Sequence, residues 1–86
     1  MQIEEQENYV TKDIYVASYL IAIGYRRYSL SQNERQFTFI FEPETSLETL
    51  EMEVDNYWAE NTSVDAKHLF TAFKELKNRM FVGGSL

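Results

Sequence analysis

The N-terminal third of the chain contains one mostly apolar segment, Ile14–Ile23, with apolar side chains around most of a helical circumference. Thr11 can cap the amino end of such a helix, and Asp13 places a carboxylate in the first turn, where the helix dipole favours it. Gly24 stands where a left-handed residue often ends a helix. We therefore predict a helix over Lys12–Ile23. A strand over residues 14–23 is the alternative, because several of these residues are β-branched.

The segment Arg35–Phe41 alternates between large apolar and polar side chains. A period of two with aromatic enrichment is typical of a strand. Residues 31–34 are polar and can link this strand to a first strand within residues 25–30, so the pattern predicts a β-hairpin. Because a lone hairpin is unstable in water, we expect its phenylalanine face to be covered, most simply by the first and third helices. That face consists of Phe37, Phe39 and Phe41, opposite Gln36 and Thr38.

Two further helices are predicted after the hairpin. Pro43 suits the first turn of a helix, and apolar residues follow it at helical spacing, which gives a second helix over Pro43–Ala59. Thr62 or Ser63 can cap a third helix that begins near Ala66 and ends before the glycines at 83 and 84. The residues predicted to be buried are Leu47, Leu50, Val54, Tyr57 and Trp58 in the second helix, and Ala66, Leu69, Phe70, Phe73, Leu76 and Met80 in the third.

These elements predict a single α+β domain in the order α-β-β-α-α, with an antiparallel β-hairpin packed against helices. With 86 residues, the chain is too short to build a second hydrophobic core. We expect residues 1–10 to form a mobile acidic N-terminus, residues 11–82 the domain and residues 83–86 a flexible C-terminus. A two-stranded sheet leaves two open edges, which makes a homodimer that pairs edges or helices a further hypothesis.

The cysteine content and the first residues bear on the compartment. The chain has no cysteine, so disulfides and thiolate metal sites are excluded, which fits a reducing environment. The first residues are acidic, unlike those of a secretory signal, and the longest apolar run, Tyr19–Ile23, is too short to span a bilayer. We expect a cytoplasmic protein that does not enter a membrane.

Charge is unevenly distributed along the chain. The net charge is −6, yet residues 42–65 alone carry −8 and contain no lysine or arginine. A surface of one sign attracts partners of the opposite sign. We therefore expect the second helix to bind a protein with a basic surface, and solubility alone is the alternative explanation. The candidate binding residues, which the predicted helix would place on one side, are Glu44, Glu48, Glu51 and Asp55.

A second candidate surface lies on the hairpin, where aromatic and basic residues mix. Cations that contact phosphates and aromatic rings that stack on bases are the components of single-stranded nucleic-acid binding. In the alternative, the phenylalanines form the core and the arginines only solvate the outer side of the sheet. The excess of acidic residues argues against unspecific binding to nucleic acid. The candidate residues are Arg26, Arg27, Arg35 and Lys74.

The sequence offers little catalytic chemistry. His68 is the only histidine, and without a cysteine or a second histidine it cannot form a transition-metal site or a Cys/His nucleophile pair. We interpret it as a surface or boundary residue. Glu44 and Glu48 could hold a hard cation, but a solvated helix face is the simpler interpretation. We expect no enzyme activity, no cofactor and no metal.

Six short segments between Thr11 and Phe81 carry a family resemblance. They are Lys12–Leu20, Gly24-Tyr25, Phe37–Glu42, Tyr57-Trp58, Val64–Lys67 and Glu75–Arg79. Together they resemble an uncharacterised family of small domains of unknown function, found in bacterial, phage and other mobile-element genomes. The resemblance implies no activity, cofactor or catalytic residue. It implies a setting in which small accessory proteins bind a partner rather than catalyse.

The leading hypothesis is a non-catalytic protein-interaction module that acts through the acidic second helix. In a mobile-element setting, such a protein could regulate or inhibit a nucleic-acid-binding machine, with carboxylates in the place of phosphates. The alternative is a weak single-stranded nucleic-acid-binding accessory factor that uses the basic and aromatic hairpin.

Overall fold

The computed structural model describes residues 7–84, with side chains through Phe81. It contains three helices and a three-stranded antiparallel sheet, so the predicted α+β class is confirmed. The element order is β-α-β-β-α-α, one strand more than the sequence predicted. The elements are β1 (Tyr9–Thr11), α1 (Ile14–Ala22), β2 (Tyr28–Asn33), β3 (Gln36–Phe41), α2 (Leu47–Trp58) and α3 (Ala66–Gly84).

The additional strand, β1, pairs with β3 and makes it the central strand, in the spatial order β1-β3-β2. Tyr9 lies opposite Phe41, and Thr11 lies opposite Phe39. Part of the predicted mobile N-terminus therefore belongs to the sheet, while residues 1–6 lie outside the described residues. A strand of three residues is too short to show a period of two, which is why the sequence pattern missed it.

The hairpin was predicted at the right place but with a turn that is too long. The strand β2 continues to Asn33, which pairs with Gln36, so only Glu34 and Arg35 form the turn. Glu34 has a φ of 60°, the left-handed conformation that tight hairpin turns require. The polar residues 31–33 were assigned to the link because they lack apolar character, but β2 is an edge strand whose side chains there face solvent.

The start of α1 is capped by Asp13 and not by Thr11. The Asp13 side chain accepts hydrogen bonds from the backbone N–H groups of Tyr15 at 2.8 Å and Val16 at 3.2 Å. Thr11 instead accepts a hydrogen bond from the Asp13 N–H at 3.1 Å. At the other end, Gly24 has a φ of 118°, as the predicted left-handed end of this helix requires.

The second helix begins four residues later than predicted. Ser46 is its N-cap, since its hydroxyl accepts the N–H of Thr49 at 3.1 Å, and Leu47 is the first helical residue. Pro43 is buried in the connection that precedes the helix. Glu44 consequently lies in this connection and not on α2, which corrects the prediction that it shares a helix face with the other candidate carboxylates.

The third helix is capped by Asp65, and neither residue 62 nor residue 63 has this role. The Asp65 carboxylate accepts hydrogen bonds from the N–H groups of Lys67 at 2.9 Å and His68 at 3.2 Å. The helix continues through Gly84, beyond the end predicted at residue 82. Ser85 and Leu86, the rest of the predicted flexible C-terminus, lie outside the described residues.

The core forms around α1, which packs mainly against α3 and also against α2. Phe39 and Phe41 of β3 are almost fully buried, and each contributes about 1.5–3 kcal/mol through removal from water. All three helices supply core residues, so α2 joins the two helices that were predicted to cover the phenylalanine face. Residues 16–21 of α1 are buried together with Leu50, Val54, Ala72 and Leu76.

The helices also bear on the question of a membrane. The longest, α3, has 19 residues but carries four cationic side chains and one carboxylate. Among the helices of residues 7–84, none is long and apolar enough to cross a bilayer.

Candidate interaction surfaces

Three of the predicted carboxylates lie together on the outer side of α2. Glu48, Glu51 and Asp55 are all exposed, and their spacing of three and four residues places them on one side of the helix. None of them forms an ion pair with a residue between 7 and 81. We call these three residues the acidic face.

The fourth predicted carboxylate, Glu44, stands apart from the acidic face. Its Oε2 atom lies 3.7 Å from Nε of Arg27, and both side chains are substantially exposed. An exposed ion pair of this kind contributes little to stability. It joins one residue of the predicted protein-binding set to one of the predicted nucleic-acid-binding set, so neither charge is fully free for a partner. Within residues 7–81, no cluster of three or more potential metal ligands occurs.

Two large apolar side chains accompany the acidic face. Met52 is 60% exposed and follows Glu48 by four residues, while Trp58 is 61% exposed and follows Asp55 by three. Trp58 was predicted to be buried, and this prediction is wrong. Its ring packs edge-on against Tyr57, with ring centroids 5.2 Å apart, and one side of it remains open to solvent.

The field of the acidic face reaches the neighbouring strand. Tyr9 of β1 lines a shallow depression together with Glu51, Asp55 and Trp58. Burial raises the pKa of Tyr9, the hydrogen bond to Thr11 lowers it, and the charges of Glu51, Asp13 and Asp55 raise it further. An incoming cation would be favoured at the same place, for the same electrostatic reason.

The predicted arginines are engaged in part within the fold. Arg26 Nη2 lies 3.2 Å from Oε1 of Glu75, and the hydroxyl of Tyr28 donates a hydrogen bond to the same carboxylate. The guanidinium of Arg79 lies over the Tyr28 ring, 4.8 Å from its centroid. These contacts join β2 to α3, and we call the four residues the Tyr28 cluster.

The pKa values of the two acidic groups of the Tyr28 cluster shift in opposite directions. Burial raises the pKa of Tyr28 to about 12, together with the hydrogen bond to Glu75 and the charge of that carboxylate. The hydrogen bond from Tyr28 holds the pKa of Glu75 below its usual value against the opposing effect of burial, and the charge of Arg26 assists. At neutral pH the cluster therefore contains a neutral phenol and an ionised carboxylate, which is the combination that its hydrogen bond needs.

The four predicted nucleic-acid-binding residues do not form one patch. Arg35 lies in the hairpin turn, and the distance along β2 from Tyr28 to Asn33, five residue-to-residue steps, is about 17 Å. Lys74 lies on the exposed side of α3. The hairpin thus does not concentrate positive charge as its sequence suggested.

A groove between the three helices was not predicted at all. It has a volume of about 260 Å³, and its walls are almost entirely apolar. Tyr15 is 61% exposed and stacks parallel to Phe73 with ring centroids 5.7 Å apart, while Phe70 is 70% exposed. We call this the aromatic groove. Its lining residues are Tyr15 and Ser18 of α1, Tyr57 of α2, and Leu69, Phe70 and Phe73 of α3.

The groove was missed because Phe70 was assigned to the buried side of the third helix. The prediction that Phe70 and Ala66 are buried is wrong, since both are exposed, whereas Ala72 is buried. A signal was available in the sequence. Lys67 and Lys74 lie three residues before and four residues after Phe70, so all three share one side of a helix, and that side is the charged one.

The family of the chain follows from its sequence. A family model described as a domain of unknown function, DUF5659, matches residues 6–83. The chain belongs to this family. The match confirms the resemblance to an uncharacterised small domain, and it spans the acidic face, the Tyr28 cluster and the aromatic groove. No curated protein and no solved structure matches the chain.

His68 of this DUF5659 chain is exposed, as its interpretation as a surface or boundary residue requires. It lines a shallow depression between α1 and α3, together with Arg26, Lys67 and Thr71. The Asp65 carboxylate already accepts hydrogen bonds from the N–H groups of Lys67 and His68 at the start of α3, which are donors that an anion site at a helix terminus would use.

Proposed function

We propose that this protein is a non-catalytic interaction module whose acidic face binds a basic surface on another protein. The observation that carries the proposal is that Glu48, Glu51 and Asp55 are exposed on one helix and form no ion pair within residues 7–81. Carboxylates without a counter-charge on a rigid element produce a field of one sign, which steers cationic partners and disfavours acidic ones.

The apolar residues beside the carboxylates refine the chemistry of the partner. Exposed Met52 and Trp58 offer the kind of side chain that supplies most of the energy at protein interfaces, whereas exposed charges mainly orient the encounter. The partner that fits best is therefore a basic surface that also presents an apolar side chain. A purely polycationic surface would contact the carboxylates of α2 but would leave Met52 and Trp58 without an apolar contact.

A nucleic-acid-binding protein has a basic surface of this kind, because lysines and arginines contact phosphates. We accordingly propose that the acidic face occupies such a site in place of phosphates and regulates or inhibits the machine that carries it. We also propose that the protein is encoded by a mobile element and acts in the cytoplasm. The sequence resemblance and the absence of cysteine support it.

The test is affinity capture of the tagged protein from host extract, with and without nuclease, followed by mass spectrometry. The variant Glu48→Lys/Glu51→Lys/Asp55→Lys removes the acidic face. A matched control, Glu7→Lys/Glu34→Lys/Glu42→Lys, makes the same change in net charge at exposed carboxylates outside α2. We expect one protein partner that survives nuclease, is retained by the control variant and is lost from the acidic-face variant.

Two other results would contradict this proposal. Equal loss of the partner from both variants would show that only net charge matters, and not the acidic face. Recovery that collapses on nuclease treatment would favour the second candidate, a nucleic-acid-binding accessory factor. The observation in favour of that candidate is that Lys74 shares the exposed side of α3 with Lys67, Lys77 and the ring of Phe70.

A further inference from the structure

The aromatic groove is an apolar depression that has no part in the proposed function, and it leaves rings exposed that could pack in a core. Phe70 projects from one wall, and Tyr15 lies open beside it. The groove volume of about 260 Å³ exceeds the roughly 150 Å³ that suffices to bind a benzene ring. One chain therefore contains both a projecting ring and a recess with room for another.

Lysines of α3 flank the apolar wall that this helix contributes to the groove. Lys67, Lys74 and Lys77 are exposed, and their spacing relative to Phe70 places all four residues on the same side of the helix. The Lys77 ammonium lies 6.0 Å from the ring centroid of Phe73, which is itself part of the groove. Cations thus flank the groove on the α3 side, while the side chains that line it are apolar.

A carboxylate flanks the opposite side of the groove. Tyr57 forms this wall, and it also lines a neighbouring depression together with Trp58 and the exposed Glu60. The apolar groove therefore lies between lysines on the α3 side and Glu60 on the α2 side.

We propose that a second copy of this chain occupies the groove, in a symmetric dimer whose twofold axis passes through it. Rotation by a half turn about such an axis exchanges the two sides of the groove, so the lysines of each copy meet Glu60 of the other. The same rotation brings Phe70 of each copy to the groove of its partner. Charge complementarity and an apolar centre then coincide in one interface.

A second copy fits better than a strand-edge contact for the same charge reason. The groove needs an occupant that carries an aromatic ring beside lysines and a carboxylate across from them, and this chain carries Phe70, the α3 lysines and Glu60 around the groove. The acidic face lies on another side of α2, so the dimer does not depend on the proposed function, and the two can fail separately.

The test is sedimentation velocity of the full chain over a concentration series, with circular dichroism to verify folding. Phe70→Glu should weaken dimerisation by about 30-fold or more, as loss of an interface hot spot does. Met52→Glu is the matched control, since Met52 is similarly exposed but lies on α2 outside the groove. It should leave the dimer unchanged.

A charge exchange tests the predicted arrangement of charge beside the groove. Lys67→Glu/Lys74→Glu adds carboxylates on the α3 side of one chain, and Glu60→Lys places positive charge on the α2 side of another. Each variant alone should dimerise more weakly than the parent chain, and an equimolar mixture should recover a heterodimer. Failure of the mixture to associate, a monomer at every concentration, or a dimer lost through Val10→Glu on the edge of β1 and not through Phe70→Glu would overturn the proposal.

Discussion

Three residues of the described chain adopt a positive φ, and only one of them is a glycine. Gly24 has a φ of 118° after α1, whereas Glu34 in the hairpin turn and Glu60 after α2 have values near 60°. Residues other than glycine are strained at positive φ, at a cost of about 1 kcal/mol or more each. The sequence revealed Gly24 as a helix end because glycine favours that conformation. It gave no indication of Glu34 or Glu60, since glutamate has no preference for it.

Removing a glycine at one of these positions and introducing one at another should change the free energy of unfolding in opposite directions. Gly24→Ala should lower the free energy of unfolding by about 1 kcal/mol or more, because no side chain adopts a φ of 118° without strain. Glu34→Gly should raise it by about 0.5–1 kcal/mol, because it removes strain from an exposed turn. Urea denaturation midpoints measure both changes. An unchanged free energy of unfolding in Gly24→Ala, or a lower one in Glu34→Gly, would contradict the positive φ assigned to that residue.

The elements were easier to predict than their ends. The alternation of Phe37, Phe39 and Phe41 and the apolar spacing of the helices identified one strand and three helices, since those periods come directly from backbone geometry. The observed helix starts differ from the predicted ones because Thr, Ser and Asp residues occur in clusters before each helix and can all serve as N-caps. Side-chain hydrogen bonds decided in favour of Asp13 and Ser46.

The Tyr28 cluster is the side-chain link between β2 and α3, and it predicts a pH dependence. Glu75 has a lowered pKa in the fold, so its contribution to stability is present above its ordinary value of 4.5 and disappears as the pH falls through the lowered pKa. Tyr28 has a raised pKa, so its contribution is full below pH 10.0 and disappears as the pH rises toward about 12. Stability should decline at both ends of the pH range.

The variant Tyr28→Phe separates this cluster from the other ionisable groups. It should cost about 1.5 kcal/mol at neutral pH, the net value of a hydrogen bond to a charged group, and it should remove the Tyr28 share of the alkaline decline. Other tyrosines with raised pKa values keep their share, so the measurement is the difference between variant and parent in urea unfolding at each pH. An identical decline in both proteins would contradict the assignment to Tyr28.

At the scale of the whole molecule, the fold places negative and positive charge on different helices. The helix α2 carries four carboxylates and no cation, whereas α3 carries four cations and one carboxylate. The sequence predicted the acidic face because its spacing is helical. It could not predict the aromatic groove, since apolar residues at helical spacing look the same whether a neighbouring element covers them or not. Phe70 and Trp58 are exposed because no described element packs over them.

We propose that the acidic face binds a basic, partly apolar surface, and the chain contains its own probe for this binding. Trp58 is the only tryptophan and lies beside that face, 61% exposed. We would titrate its fluorescence with an amphipathic peptide of lysine and leucine, and with a matched peptide of glutamate and leucine.

We predict a blue shift with the lysine peptide alone, because the indole becomes buried against leucine. The shift should persist in Glu7→Lys/Glu34→Lys/Glu42→Lys and disappear in Glu48→Lys/Glu51→Lys/Asp55→Lys. An unchanged emission spectrum in the parent protein, or an equal shift in both variants, would contradict the claim that these three carboxylates form a binding surface.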